Sequence, residues 1–365
     1  MGISRNISGW LKSHQQGFLH KNVNLSKFHR FDRGESSFGP SKKTINVLKS
    51  LTYSDLNNRP DTNIPRLKNI IARQLNVTRD MITITNGSDD LIKAIPMVFL
   101  NRGDACITVE PTFYIFADVS LRVGVKLHSV LLNEKNGFIL TAETSEQVVK
   151  LAKKVNAKLI WLCNPNNPTG VYIEPKLIEF IAKSCNAYVI VDEAFIEFVA
   201  EDNGASAVRL IKRHKNILVT RTLSKVFGLC GIRLGYGIGS SDIIRIFEAL
   251  KMPFAISTIH QKIAETILLD RVYLEYVIKK TAIERRFVEK EVSQMNHIKI
   301  GSSSKTNFLF LKHRSKNLYK ELYLRNILTA DFNRCKGIDS NGYVRATISD
   351  TRKENKIFIN ALKSI

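Results

Sequence analysis

Apolar positions along this chain fall into two periods. Runs that are apolar at nearly every position recur at 105–109, 159–163, 188–191 and 217–219, and segments near 175–184 and 205–214 between them carry apolar residues at helical spacing. Runs without polar alternation are strands buried on both faces. Their alternation with helices predicts a mainly parallel sheet covered on both sides, an α/β fold. Upstream, Leu67, Ile70, Ile71 and Leu75 lie on one face of a helix expected over 62–75, with Thr62 or Asn63 as its cap and Pro65 in its first turn. A strand at 81–85 follows, and Asn86-Gly87-Ser88 opens a further helix carrying Leu91, Ile92 and Ile95. After about residue 255 the texture changes to a charged helical stretch over 259–295, strands at 308–311 and 343–348, and a closing helix from Lys353. That order predicts a smaller α+β unit, which the N-terminal segment could join. The expected division is an arm over 1–40, a large domain over 41–255 and a small domain over 256–365.

Composition narrows the class. The chain has 365 residues, 44% of them hydrophobic and 24% charged, enough for one large or two ordinary domains. Its 55 Lys and Arg against 33 Asp and Glu give +22, spread along the whole length. Such charge suits a solvated basic surface first and a site for phosphorylated or carboxylated ligands next. Basic runs interleaved with aromatics and zinc spacings are both lacking, so no nucleic-acid partner is expected. Cys106, Cys163, Cys185, Cys230 and Cys335 form no C-x-x-C pair and read as reduced thiols. With no apolar signal core in residues 1–30 and no run of about 18 apolar residues, a cytoplasmic protein without a membrane span is expected.

In open α/β sheets ligands bind beyond the carboxyl ends of the strands, so the residues that follow each run carry the chemistry. After 159–163 comes Asn164-Pro165-Asn166-Asn167-Pro168-Thr169-Gly170, a rigid turn that presents amide groups at the sheet edge. After 188–191 comes Asp192-Glu193-Ala194-Phe195. A carboxylate at the end of a buried strand needs a cationic partner, and a protonated pyridinium nitrogen would be one. After 217–219 comes Thr222-Leu223-Ser224-Lys225, with Arg233 eight residues on. Two hydroxyls, a lysine and an arginine suit an anchored phosphate beside an amine that can form an imine. Neighbouring cations would lower the lysine's pKa and make it a competent nucleophile and base. Asn86-Gly87-Ser88-Asp89, at a helix start, offers backbone N–H groups to a phosphate, though a plain helix cap explains it equally well.

Together these residues resemble the fold-type I pyridoxal-5′-phosphate (PLP) enzymes of the class I/II aminotransferase superfamily. Within it they are similar to the branch that contains histidinol-phosphate aminotransferase and threonine-phosphate decarboxylase. The likeness runs from about residue 30 to the C-terminus and is carried by Asn86–Asp90, Glu110-Pro111-Thr112-Phe113, Asn164–Gly170, Asp192–Phe198, Thr222–Lys225 with Arg233, and Arg345-Ala346-Thr347-Ile348. It implies a large, mainly parallel, seven-stranded type of sheet domain with a smaller α+β C-terminal domain, and PLP held by Lys225 as a Schiff base. Asp192 would then pair with the pyridine nitrogen and Asn167 with the ring hydroxyl. Ser88, Thr222, Ser224 and Arg233 would hold the cofactor phosphate, Gly87 and Asp89 beside Ser88 would belong to the cofactor site, Phe113 would stack on the ring, and Arg345 would take the substrate carboxylate. A homodimer with its site at the subunit interface is implied as well.

The chain also departs from that pattern. Phe195 stands where the aminotransferase usually has a tyrosine, which removes one donor to the ring oxygen, worth about 1 kcal/mol net. Arg59-Pro60-Asp61 replaces a tyrosine-bearing segment that reaches the neighbouring subunit's cofactor phosphate; Arg59 could bind that phosphate in its place or bind a substrate phosphate instead. Arg33-Gly34-Glu35-Ser36 replaces an Asn-Glu-Asn type segment. Arg30, Arg33 and Arg59 are candidate extra cations for a small, phosphorylated or otherwise anionic amino substrate. Transamination is the favoured reading. Decarboxylation of an O-phospho amino acid is the alternative: Phe195 and Gly337-Ile338-Asp339-Ser340 look like the decarboxylase, Thr351–Asn355 like the aminotransferase.

Overall fold

The computed structural model describes residues 24–199, 204–333, 335–338 and 342–365. Its strands in chain order are β1 (His29–Phe31), β2 (Ile82–Thr85), β3 (Ala105–Glu110), β4 (Lys126–Leu131), β5 (Ala157–Cys163), β6 (Tyr188–Asp192), β7 (Ile217–Thr222), β8 (Gly235–Ile238), β9 (Ile298–Ile300), β10 (Phe308–His313), β11 (Ile327–Asp331) and β12 (Val344–Thr347). The larger sheet runs β2-β8-β7-β6-β5-β3-β4; it is parallel from β7 to β4, and β8 is antiparallel to both β2 and β7. Every residue of β3 and β7 is buried, as expected for strands covered on both faces. Ile107, Ile160, Val191 and Val219 pack into one core, while Cys106, Trp161, Ile190 and Leu218 alternate into a second on the opposite face. Trp161 anchors the second core. It is stacked on Phe116 at 4.6 Å and donates to Ser120 Oγ at 3.1 Å, so truncation to alanine would cost about 3–5 kcal/mol.

The smaller sheet runs β1-β11-β12-β10-β9, with β1 parallel to β11 and the remaining pairs antiparallel. The N-terminal segment therefore supplies its edge strand. Helix Arg271–Ser293 spans both units: Val277 joins the core of the larger sheet, Val288 and Val292 that of the smaller. Helix Thr258–Leu269 also packs with the larger sheet through Ile263, Ala264 and Ile267. The units thus meet along the long helix, downstream of residue 255. No helix among the described residues is long and apolar enough to cross a membrane.

Several local expectations change. The helix expected over 62–75 runs Pro65–Leu75, and its cap position is Ile64, left-handed at φ 48°. Pro65 fills the first helical position, where no amide is needed. The segment 205–214 forms only a 3-10 turn, Ala207–Leu210. The stretch over 259–295 is two helices broken at Asp270, whose carboxylate pairs with Lys43.

Candidate functional site

The carboxyl ends of the parallel strands bring the singled-out residues together because the register aligns them. Cys163 pairs with Asp192 and Asp192 with Thr220, so the turns after β5, β6 and β7 open side by side. Asp192 is 3% exposed, and Thr220 Oγ1 donates to its Oδ1 at 2.9 Å. Burial pushes this carboxyl up to about 7; the Thr220 hydrogen bond opposes the rise and the Asp89 charge adds to it. A buried acid poised to ionise is a receptor for a cation.

Lys225 faces the same space. Burial lowers its pKa, with Arg345's charge as the second cause. Its Nζ lies 5.3 Å from the Phe195 ring centroid, and a Cβ built on Gly34 would sit 3.6 Å from Nζ and 3.2 Å from Phe195 Cζ. The segment 33–36 is therefore one wall of the site. Glu35 and Cys230 oppose the lowering at Lys225, and Cys230 Sγ lies 3.8 Å from Glu35 Oε1.

A cradle for an anion lies beside the lysine. Gly87, at φ 79°, caps helix Ser88–Phe99, and a Cβ there would meet Arg233 Nη2 at 2.7 Å. Gly235 is equally constrained: a Cβ would come within 2.3 Å of Ser88 N, so the helix start is pressed against β8. Thr222 Oγ1 donates to Ser224 Oγ at 2.9 Å, and Arg233 Nη1 donates to the same oxygen at 3.2 Å. Ser88, Thr222 and Ser224 are all buried. Asp89 contributes at the start of helix Ser88–Phe99. Its carboxylate accepts from Arg233 Nη2 at 2.9 Å, so among its atoms only the backbone N–H suits a phosphate.

Asn167 and Arg345 form the far side. Arg345 Nη1 donates to Asn167 Oδ1 at 2.7 Å and Nη2 to the Asp32 carbonyl at 2.9 Å, while its buried Nε has no hydrogen-bond partner. Burial brings the guanidinium down to about 10, and Asp32 opposes the fall. With Oδ1 committed to Arg345, Asn167 keeps Nδ2 as its donor to a ligand. Phe113, half-buried, meets Phe116 edge-on at 5.5 Å just beyond β3; there Thr112 Oγ1 donates to Asn166 Oδ1 at 3.1 Å, joining the ends of β3 and β5.

The candidate cations are less available than expected. Arg30 is bound bidentate to Asp32 at 2.7 and 2.8 Å. Arg33 donates to Glu35 Oε1 at 3.2 Å, and its backbone carbonyl accepts from Thr347. Arg59 is exposed after helix Tyr53–Asn57, over Phe254 at 5.2 Å, and shares none of these contacts. Asp339 and Ser340 lie outside the described residues, as do positions 1–23 of the expected arm. Sequence reasoning missed Thr220, Asp32, Gly34 and Cys230 as neighbours of the site. Only Gly34 carried a signal, as part of a segment that departs from the family pattern.

These groups fit PLP. The buried Asp192 would suit its pyridinium, the Asn167 amide its ring oxygen, Lys225 its aldehyde carbon, and the Gly87–Ser88, Ser224 and Arg233 cradle its phosphate.

The aminotransferase class I and II family matches the chain over residues 27–362. A histidinol-phosphate aminotransferase of Thermoanaerobacter pseudethanolicus is 33% identical over 365 residues, covering 98% of this chain and 99% of that one. The structure of the Sinorhizobium meliloti histidinol-phosphate aminotransferase in complex with PLP superposes with a TM-score of 0.85 at 21% identity, over 100% and 98% of the two chains. An L-threonine-O-3-phosphate decarboxylase of Porphyromonas gingivalis superposes with a TM-score of 0.76 at 22% identity, over 92% and 98%. At these identities the two superpositions establish the shared fold.

Proposed function

The chain belongs to the class I and II aminotransferases, with PLP as cofactor, and on that premise we propose that it moves the amino group of histidinol phosphate to a 2-oxo acid. The observation that carries this reading is the convergence of an acid whose pKa is raised to about 7, an amine of lowered pKa and, facing them from β12 of the smaller sheet, a guanidinium with a free buried N–H. The bound cofactor supplies an electron sink for the bond broken at the substrate's amino carbon. Lys225, whose pKa burial lowers, takes up and returns the proton there. Asp192 would hold the positive charge at the ring nitrogen, and Asn167 Nδ2 would donate to the ring oxygen. Arg345 would orient the substrate's anionic group through Nε, Ser88, Thr222, Ser224 and Arg233 would fix the cofactor phosphate, and Phe113 would pack against the ring.

A second copy of the chain completes the enzyme in this reading. Ile45, Leu48, Tyr53, Leu56, Leu269 and Val272 are exposed apolar side chains around helices 42–49, 53–57 and 258–269, a surface suited to burial in a dimer. Arg59 follows the same helices and would reach the neighbouring subunit's cofactor phosphate. Free cysteines suit a reducing compartment, and we place the enzyme in the cytoplasm.

Phe195 supports a second reading, decarboxylation of an O-phospho amino acid, since no phenol serves the ring oxygen. Steady-state assays with histidinol phosphate, O-phosphothreonine and O-phosphoserine, each with a 2-oxo acid, separate the two. Amino transfer from histidinol phosphate at the highest kcat/KM supports the proposal. CO2 release from a phospho amino acid with no amino transfer overturns it.

A further inference from the structure

Tyr343 lies two positions before Arg345 and so shares its face of the smaller sheet, because side chains alternate along extended backbone. The tyrosine is fully buried, stacked on Phe310 at 4.2 Å with the rings 9° apart and edge-on to Phe138 at 5.8 Å. Its hydroxyl donates to Glu134 Oε1 at 3.0 Å. Glu134 belongs to the other unit, on the turn between β4 and helix Ala142–Val155. The same oxygen accepts from Lys312 Nζ at 2.9 Å and Lys299 Nζ at 3.3 Å, on β10 and β9. One carboxylate thus gathers three donors from the smaller sheet. Burial alone would push Glu134 up, but the Lys312 and Tyr343 hydrogen bonds outweigh it and hold the carboxyl below its ordinary value.

The contact continues to the site. Phe310 is the sheet partner of Arg345 and meets Phe332 edge-on at 6.0 Å. The Arg345 guanidinium lies over the rings of Phe332 and Phe308, at 5.8 and 5.2 Å. We propose that Glu134 is a positioning residue for the substrate's anionic group: by holding Tyr343 and Lys312 it fixes where β12 presents Arg345 to Asn167. The inference rests on the reading of Arg345 as the anion anchor. Without the carboxylate a buried phenol loses its acceptor and the half-buried Lys312 loses its counter-charge. A shift of about 0.5 Å in the strand is then enough to spoil the geometry of the free Nε.

The test uses PLP-loaded protein with histidinol phosphate, comparing Glu134→Ala, which removes the acceptor, with Tyr343→Phe, the double variant and Arg345→Lys. Each of the first two is expected to raise KM about 3- to 10-fold, the worth of one hydrogen bond, with kcat nearly unchanged. The double variant should be no worse than either single one, since both remove the same link. The visible spectrum of the bound cofactor should not move. A fall in thermal stability with KM unchanged would make Glu134 merely structural and overturn the proposal, as would additive effects on KM. If Arg345→Lys itself leaves KM unchanged, the anchor assignment falls and takes this inference with it. Because Tyr343→Phe leaves the carboxylate in place, the proposal stays testable should Glu134→Ala fail to fold.

Discussion

Replacing Asp192 by asparagine is expected to stabilise the cofactor-free protein and to cripple the holoenzyme. Burial lifts this carboxyl from 3.8 to about 7. Between those values the native state holds a proton that the unfolded state has lost, so stability falls as pH rises through that window. Three units at about 1.36 kcal/mol each put the cost near 4 kcal/mol above pH 7, as an order of magnitude. An amide carries no such cost and can still accept from Thr220. Glu197 is also pushed up to about 7 by burial, but it is present in both proteins, so the difference between them isolates Asp192. In the holoenzyme the sign reverses, because removing one partner of a buried ion pair costs about 3–5 kcal/mol. Urea unfolding of the two apoproteins at about pH 5 and about pH 8, with cofactor dissociation constants for both, measures the two effects. Identical pH slopes for variant and wild type, or equal cofactor affinity, would refute the reasoning.

Gly87→Ala should weaken cofactor binding about tenfold by equilibrium dialysis, since an alanine at φ 79° is strained and its Cβ would meet Arg233 Nη2 at 2.7 Å. Phe195→Tyr should lower the pH midpoint of the bound cofactor's visible transition by up to about one unit, the equivalent of one hydrogen bond to the ring oxygen; absorbance titration reads this. Gly34→Ala should reduce kcat several-fold at unchanged cofactor affinity in steady-state assays, because its Cβ would crowd Phe195 Cζ at 3.2 Å and approach Lys225 Nζ at 3.6 Å.

The parallel core was legible because β3, β5, β6 and β7 are buried on both faces and their apolar runs are almost unbroken. Other strands gave no such signal. β4 is an edge strand with half-exposed positions, β8 is Gly-Tyr-Gly-Ile, and β11 is cut by Thr329 and ends at Asp331. The residues at strand ends were found because a buried carboxylate, a lysine and two hydroxyls have few structural uses there. What escaped was pairing. Asp32 neutralises Arg30 two residues away, a local ion pair that reading Arg30 as an extra cation overlooked. Its carbonyl also holds Arg345 from the far end of the chain, a contact nothing local announces. Thr351–Asn355, which resembles the aminotransferase, also serves the fold, since buried Asn355 donates to Glu284 Oε2 at 3.0 Å and to the Ser349 carbonyl at 3.0 Å.

The most direct test of amino transfer is a single turnover without acceptor: purified yellow, PLP-loaded protein mixed with excess histidinol phosphate, following the visible band and the products. Loss of the band with one equivalent of oxo phosphate formed per site, and its return when a 2-oxo acid is added, is the expected result. An unchanged band with histidinol phosphate, together with CO2 released from O-phosphothreonine, would contradict it.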